Sequence, residues 1–213
     1  ELAISEIQKD SRLTENKLKS YLKVHDEFPI KYRTLIWRHL LRLPENDQAY
    51  SDLVRRGPHK SFDDLQERFP LRSRRVFQRL KNVCCQLAHW SDCLANADYL
   101  PQLVFPFIMI YGSDEIAALE TVMTITMWWG SSWFATHPNP PVHIIDTIDT
   151  LVYTHEPKLY SFLTEKHHQA PGIMGWIMIS SMFTEVLDRP CWLKLFDYLF
   201  CYLSNKPPSG QTN

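Results

Sequence analysis

An all-α fold is predicted by three features of the sequence. Apolar residues recur at helical spacing in most segments of the 213-residue chain. Strand signals are scarce, since there are 6 glycines, no Asn-Gly or Asp-Gly turn and little alternation of apolar with polar residues. Hydrophobic residues make up 45% of the chain and charged residues 22%, a composition that supports a sizeable core. We therefore expect a helical protein of one large domain or two subdomains.

The most informative element is a helix predicted over residues 28–44. Pro29 suits its first turn, because the fixed φ of proline is helical and its missing N–H is not needed there. Pro44 ends the helix. One face carries an arginine among large apolar side chains, namely Arg33, Trp37, Leu40 and Leu41. Arg33 either lays its stem over apolar surface or is partly buried and ties another element to this helix, which requires a two-oxygen acceptor elsewhere in the chain.

Six more helices are predicted up to residue 129. They cover residues 14–23, 49–55, 61–69, 73–88, 100–111 and 113–129. Ser61 followed by Asp64 resembles a capping box at the start of one of them. Residues 100–111 are apolar all round and contain Pro106; we expect a buried, kinked helix there because no partner strand is visible. The helix over residues 113–129 is expected to carry Ile116, Leu119, Met123 and Met127 on one side.

A proline-rich loop at residues 138–141 is the best internal boundary. Helices are predicted after it over residues 142–153, 158–166, 172–187 and 191–203. We expect one domain over residues 1–203, with an N-terminal helical subdomain over residues 1–137 and a C-terminal one over residues 142–203. Residues 204–213 have the composition of a linker.

Composition and charge argue against several classes of function. The net charge is −1, so no overall field favours nucleic acid or a membrane surface. The five cysteines are an odd number without a Cys-x-x-Cys pair, which favours a reducing cytosolic compartment over a disulfide framework. Nine histidines occur without the spacing of zinc ligands, so we expect no metal and no cofactor.

Two segments bear on secretion and on membranes. The first ten residues are charged, unlike a signal peptide, and the absence of an initial Met indicates a fragment of a longer protein. Residues 121–145 lack Asp, Glu, Lys and Arg, but Gly130 and three prolines interrupt this run. A transmembrane helix needs about 20 continuous apolar residues. We therefore predict a buried helix followed by a loop, and no transmembrane segment.

Three separated passages resemble TBC domains, which are all-α modules that accelerate GTP hydrolysis by Rab GTPases. The first is the Arg-x-x-x-Trp-x-x-Leu-Leu pattern within residues 28–44. The second, VFPFIMIYGSDEIAALETV, resembles the family's apolar-Pro-apolar helix and the acidic pair that opens its next helix. The third, GWIMISSMFTEVLDRPCWLKLFDYLF, resembles its late Trp-containing helix and its Trp-Leu-x-Leu-[Trp/Phe]-Asp helix. The resemblance implies a TBC-like fold over nearly the whole chain.

Active TBC domains use an arginine and a glutamine as paired fingers, in the motifs Ile-x-x-Asp-x-x-Arg and Tyr-x-Gln-Gly. The best match to the first is FDDLQERFP, with Arg68 as the arginine but Leu65 in place of the Asp. The second motif is absent; Asp98 falls near the glutamine position, and Gln102 is out of register. An aspartate cannot donate the amide hydrogen bond, and losing one such donor typically costs about 10²–10³ in rate. The resemblance thus implies a catalytically degenerate TBC domain rather than an enzyme.

Residues 55–81 form a strongly basic stretch, with nine basic and three acidic side chains. This charge is typical of the solvated face of two helices. The functional alternative is a surface for an acidic partner, and nucleic acid is the weakest interpretation because no binding fold accompanies the charge. The candidate binding residues are Arg68, Arg72, Arg74 and Arg75.

One branch of the TBC family resembles this chain more than the others do. The resemblance lies in ELAISEIQKDSRLTENKLKSYLKVHDEFPIKYR, and in the pairing of AHWS with a later YLP. In that branch a WD40 propeller precedes the TBC segment, and the protein belongs to centriolar satellites. The resemblance implies a scaffold role in the cytoplasm, at centrosomes and in cilium assembly.

Three functions follow as alternatives. The first is a non-catalytic interaction module with a protein partner, which can be a Rab-type small GTPase. The second is a working Rab activator that uses Arg68 alone. The third is a purely structural segment with no partner of its own.

Overall fold

The computed structural model describes residues 14–136 and 139–203. Every regular element in these ranges is helical, and no strand is present among them, so the prediction of an all-α fold is confirmed. The predicted linker at residues 204–213 lies outside the described residues, as do residues 1–13 and the first residue of the predicted proline-rich loop.

Twelve α-helices follow one another along the described ranges. They are α1 (Glu15–His25), α2 (Ile30–Leu41), α3 (Asp47–Arg55), α4 (Leu65–Arg68), α5 (Arg74–Trp90), α6 (Asp92–Ala95), α7 (Leu100–Tyr111), α8 (Glu115–Trp128), α9 (Val142–His155), α10 (Pro157–Ser161), α11 (Pro171–Ser180) and α12 (Arg189–Leu203). Short 3₁₀ turns occur at Lys60–Phe62 and Trp133–Thr136, and a π turn follows α10 at Phe162–Lys166. None of the helices described is both long enough and apolar enough to cross a lipid bilayer.

The described helices form two units. The first contains α1, α2 and α12, from the chain up to Leu43 and from Asp188 onward. The second contains α3 to α11, between Pro44 and Leu187. The first unit is therefore assembled from segments far apart in sequence. The predicted subdomain division near residues 137–142 falls within the second unit and stays a prediction.

The apolar stripe of α2 is the centre of the first unit. All of its members are buried as predicted: Arg33, Trp37, Leu40 and Leu41. The Trp37 indole meets Phe200 of α12 edge-on, with ring centroids 4.9 Å apart. Trp192 and Phe196 of α12 lie within 6.5 Å of the same indole. Aromatic burial therefore holds α2 against α12.

Asp197 of α12 is the two-oxygen acceptor that a buried Arg33 requires. Arg33 Nε donates to both carboxylate oxygens at 3.1 Å. The indole Nε1 of Trp37 donates to Oδ1 at 2.7 Å, and the backbone N–H of Phe28 donates to Oδ2 at 2.7 Å. The interpretation of Arg33 as a buried guanidinium that ties α2 to another element is confirmed.

These partners offset the unfavourable desolvation of the Asp197 carboxylate only in part. Burial raises the pKa of Asp197 above its ordinary value, while the Phe28 N–H and the Arg33 charge act in the opposite direction. A buried ion pair adds little net stability, but removal of one partner leaves the other charge uncompensated. The Arg33–Asp197 pair therefore favours one packing arrangement of α2 and α12 over other arrangements more than it adds net stability.

Helix α8 in the second unit is buried on more than one face. The apolar side expected from the sequence is buried only in part, because Leu119 is buried but Met127 is 47% exposed, and Glu120 and Thr121 on other faces are buried as well. α8 is apolar nearly all round, so hydrophobic periodicity does not specify the side that faces the core. Glu120 is tolerated inside because its carboxylate accepts the backbone N–H groups of Glu45 and Asn46 at 2.9 and 2.8 Å.

The helix predicted over residues 61–69 is divided into two short pieces. Lys60–Phe62 is a 3₁₀ turn, and α4 begins only at Leu65. Ser61 is therefore not an N-cap, and the predicted capping box is wrong. Phe62 and Leu65 are both fully buried at a spacing of three residues, which suits the three-residue period of a 3₁₀ turn.

Helices α9 and α11 approach closely at two glycines. A Cβ on Gly172 would lie 2.4 Å from the carbonyl oxygen of Ile145, and one on Gly175 would lie 2.9 Å from the side chain of Ile148. The backbone N–H of Gly172 also donates to Asp149 Oδ1 at 2.8 Å. The absence of a side chain at residue 172 is thus what lets α11 start against α9.

Candidate functional site

Arg68 lies at the end of α4, where its guanidinium is held by neighbouring oxygens. Nη2 donates to the carbonyl oxygen of Ser61 at 2.7 Å. Nε donates to Asp64 Oδ1 at 3.0 Å, an ion pair between residues four apart. The Arg68 side chain is 35% exposed. It is therefore reachable from solvent but already hydrogen-bonded to the protein.

Asp98 lies in the connection between α6 and α7, beside Arg68. Its Oδ1 is 3.8 Å from Arg68 Nη1, and its side chain is 94% exposed. The structure thus brings together the two residues that the sequence predicts at or near the finger positions of TBC domains. Both are aligned to those positions by sequence resemblance, and their proximity is an observation of the structure.

An open cleft of about 430 Å³ contains this pair. Its charged lining consists of Lys60, Asp63, Asp64, Arg68 and Asp98. Carboxylates outnumber cations, so a phosphate group entering the cleft would meet more negative than positive charge. Asn96 also lines the cleft, but its amide nitrogen donates to the carbonyl oxygen of Asp92 at 3.0 Å. The described cleft therefore presents a tethered arginine and a surplus of negative charge.

The other predicted binding residues lie in a different part of the second unit. Arg72, Arg74 and Arg75 are exposed, and none forms an ion pair with a carboxylate of the described residues. Arg74 and Arg75 begin α5 and line a shallow groove. The groove is completed by Gln78, Arg79, Ser113 and Glu115. The structure therefore does not place Arg68 in the groove of Arg74 and Arg75.

Curated proteins resemble this chain over most of its length. TBC1 domain family member 31 of Bos taurus is 38% identical over 195 residues, and the proteins of that name from Homo sapiens and Xenopus laevis are 37% and 36% identical. Each comparison covers 92% of this chain. The chain belongs to the TBC domain family. It spans 18% of the length of these relatives. No protein-family profile matches it, and no solved structure gives a significant match.

The TBC segment also contains an inner polar cluster that the sequence pattern did not reveal. Tyr50 Oη donates to Glu115 Oε2 at 3.4 Å, and Asn82 Nδ2 donates to the same oxygen at 3.3 Å. Burial and the charge of Glu115 raise the pKa of Tyr50 above its ordinary value. These residues come from α3, α5 and α8, so no local spacing could have grouped them.

Two other titratable side chains of the TBC segment, Cys84 and His89, are buried or hydrogen-bonded within the fold. Burial raises the pKa of Cys84 far above its ordinary value, which keeps this thiol protonated. Nε2 of His89 lies 3.1 Å from the carbonyl oxygen of Gly57, so this half-buried histidine has a hydrogen-bond partner within the fold. Within the described ranges, no three potential metal ligands are grouped so that they could hold an ion.

Proposed function

We propose that this TBC segment is a non-catalytic interaction module, which binds a protein partner without accelerating GTP hydrolysis. The environment of Arg68 is the observation that supports the proposal most directly. The guanidinium is hydrogen-bonded to Ser61 and Asp64, and Asp98 lies near the position where the family's glutamine is expected. A Rab-type small GTPase is one candidate for the partner.

The chemistry of GTPase activation explains why this environment is unfavourable. An activator must bring positive charge to the γ-phosphate and orient the attacking water. Arg68 would have to leave its present oxygen partners to reach a phosphate. Asp98, when ionised, has no proton to donate. The Asp98 charge would repel a charged phosphate oxygen 4 Å away with an energy of about 1–4 kcal/mol, depending on screening.

Single-turnover GTP hydrolysis tests the proposal. When the chain is added to each member of a panel of GTP-loaded Rab proteins, we expect rates equal to the intrinsic rates. Arg68→Ala tests the finger position, and Arg55→Ala, at an exposed arginine of α3, is the matched control. Acceleration by the wild type that is lost in Arg68→Ala but kept in Arg55→Ala would overturn the proposal.

A second candidate function is a working Rab activator that uses Arg68 alone. The observation that favours it is the exposure of Arg68 in an open cleft. Asp98→Asn separates the two candidates, because it removes a negative charge beside the guanidinium. If Arg68 works alone, the variant should accelerate hydrolysis more than the wild type does. Under our proposal both proteins stay at the intrinsic rate.

The partner surface that we propose comprises the basic residues predicted from the sequence: Arg68, Arg72, Arg74 and Arg75. The support is that the last three are exposed and unpaired with carboxylates of the described chain. A pull-down from ciliated cells should lose its specific prey when these three are changed to Glu. Lys158→Glu, on α10, is the control and should retain the prey. Absence of specific prey with the wild type would favour a purely structural segment.

We also propose that the protein works in the cytoplasm at centrosomes and centriolar satellites, and in cilium assembly. The support is the resemblance to the WD-repeat branch of the family in the first 33 residues and around Trp90. A fluorescent fusion expressed in ciliated cells should coincide with a centrosomal marker. A diffuse distribution that ignores the centrosome would contradict this localisation.

A further inference from the structure

A cleft of about 190 Å³ lies between α3, α5 and the start of α8. Its polar lining includes Tyr50 from α3, Lys81, Asn82 and Gln86 from α5, and Glu115 from α8. All of these residues belong to the second unit. The cleft is distinct from the one that holds Arg68 and Asp98, because the two have no lining residue in common.

Gln86 gives this cleft an unused hydrogen-bond acceptor. The residue is 5% exposed, and its Oε1 is buried without a hydrogen-bond partner among the described residues. Buried polar atoms in folded proteins are nearly always paired, so an unpaired one calls for a physical explanation. This oxygen has almost no accessible surface, so a donor supplied by a bound molecule in the cleft that Gln86 lines can reach it only when the amide group turns toward the cleft.

Glu115 offers a second acceptor in the same cleft. Its Oε2 accepts from Tyr50 and Asn82 at 3.4 and 3.3 Å, which are long hydrogen bonds. Its Oε1 accepts no hydrogen bond from the described residues. The cleft therefore favours a ligand group that donates hydrogen bonds.

The surroundings of the cleft favour negative charge in the rest of the ligand. Gln78 and Glu115 line both this cleft and the shallow groove of α5, so the two are neighbours. The cations of the combined surface are Arg74, Arg75, Arg79 and Lys81, and none is paired with a carboxylate of the described residues. Four unpaired cations against one carboxylate favour an acidic ligand.

The inner cleft and the neighbouring shallow groove are together called the α5 groove below. We propose that the α5 groove binds an acidic segment of a partner protein. A serine or threonine hydroxyl of that segment enters the inner cleft and donates to Gln86 Oε1. Carboxylates on either side of the hydroxyl pair with the arginines of the outer groove. A phosphodiester group fits the inner cleft less well than a hydroxyl, because it has no proton to donate to Gln86 Oε1 or to the Glu115 carboxylate. The inference rests on the proposed function, and it specifies both the partner chemistry and the residue that anchors it.

Fluorescence anisotropy with a labelled twelve-residue peptide of alternating Glu and Ser tests the α5 groove. We expect saturable binding at low salt that weakens as salt is added. Gln86→Met should bind about five- to tenfold more weakly, the usual effect of one hydrogen bond. The thermal midpoint of this variant should fall only slightly, since the substitution removes an unpaired buried atom and nearly conserves volume, although it also removes the side-chain hydrogen bond between Gln86 and Tyr50.

Two matched controls accompany this measurement. A peptide with Ala in place of each Ser keeps the charge, and it should bind the wild type about as weakly as the Ser peptide binds Gln86→Met. Lys158→Glu changes a charge outside the groove and should bind like the wild type. In ¹⁵N spectra of the wild type, the Gln86 side-chain amide should shift when the Ser peptide is added.

Each result bears on a separate part of the inference. Equal binding by the Ser and Ala peptides, or no shift of the Gln86 amide, would overturn the inner-cleft anchor while leaving the arginine surface of the proposed function standing. Failure of the Ser peptide to bind, or tighter binding of a twelve-nucleotide RNA, would overturn the α5 groove as a site for acidic protein. Loss of prey in the arginine triple variant, with unchanged peptide binding, would support the proposed function and contradict the inference.

Discussion

Two buried carboxylates of this TBC segment are surrounded by N–H donors from distant parts of the chain. Asp197 accepts from Phe28, Arg33 and Trp37, and Glu120 accepts from the two backbone N–H groups ahead of α3. Buried charges are costly unless they are paired and hydrogen-bonded. At the scale of single residues, these carboxylates therefore specify which segments of the fold meet.

Asp197→Asn is expected to lower the free energy of unfolding by at most about 3–5 kcal/mol, because the Arg33 guanidinium loses its buried counter-charge but keeps its ion pair with the half-exposed Glu27 at 2.9 Å. Urea unfolding followed by circular dichroism measures this. Asp26→Asn is the control, since Asp26 pairs with Lys194 at the surface and its loss should leave the midpoint nearly unchanged. Similar midpoints for the two variants would mean that the buried pair does not hold α2 against α12.

Whether the buried partners of these residues could be predicted from the sequence depended on the chemical type of each partner. The need of Arg33 for an acceptor could be predicted, because a charged side chain on an apolar stripe cannot stay unpaired. The burial of Glu120 could not, because its donors are backbone groups that every non-proline residue carries. Gln86 was missed for a similar reason: its surroundings are formed by three helices that are separate in sequence.

At the scale of helices, periodicity succeeded where a helix has one apolar face. The helix over residues 73–88 was predicted from its apolar spacing, and Leu80, Val83 and Leu87 of α5 are buried. α8 gave no such contrast, and the apolar side expected for it is buried only in part. The short pieces between Lys60 and Arg68 failed for another reason, since tertiary burial of Phe62 and Leu65 outweighed a local capping signal.

Gly172→Ala is expected to destabilise the second unit by about 1–3 kcal/mol, because the new methyl group meets the backbone carbonyl of Ile145. Gly175→Ala is the matched comparison, since its new methyl group meets side-chain atoms of Ile148 at 2.9 Å and not a backbone carbonyl, so it should cost less. Both gain the same helix propensity, about 1 kcal/mol. Thermal unfolding of the two variants gives their ranking, and a less stable Gly175→Ala would contradict the close approach at residue 172.

At the scale of the whole described chain, the TBC resemblance predicted the fold class, but not the grouping of α1 and α2 with α12. That grouping follows from contacts between the two ends of the described sequence, which local patterns do not encode. The candidate site shows the same limit. Resemblance predicted Arg68 and Asp98 at or near the finger positions, whereas the oxygens that hold Arg68 were visible only in the structure.

The accessibility of the five cysteines tests the whole described fold at once. Cys93 and Cys191 are exposed, and Cys84, Cys85 and Cys201 are buried. Burial raises the pKa of Cys201 to about 11. A thiol reagent at about pH 7.5 should therefore modify two thiols in the native protein and five after denaturation.

The two exposed thiols should also differ in rate. Asp188 raises the pKa of Cys191, which lowers its thiolate fraction, so Cys93 should react first. Cys93→Ser should remove the fast phase and leave the slow one. Rapid modification of a third thiol in the native state would show that one of the buried cysteines is not packed as described.

The hydrogen bonds to Asp197 have a consequence for synthesis on the ribosome. Phe28 and Trp37 donate hydrogen bonds to Asp197, which is translated 169 and 160 residues after them. Until Asp197 and the rest of α12 have been translated, the apolar sides of α1 and α2 lack the helix that packs against them within the first unit. Pairings between such distant positions form slowly, and nascent chains with uncovered apolar helices are substrates for chaperones. The helices translated first are thus secured only when translation has reached α12.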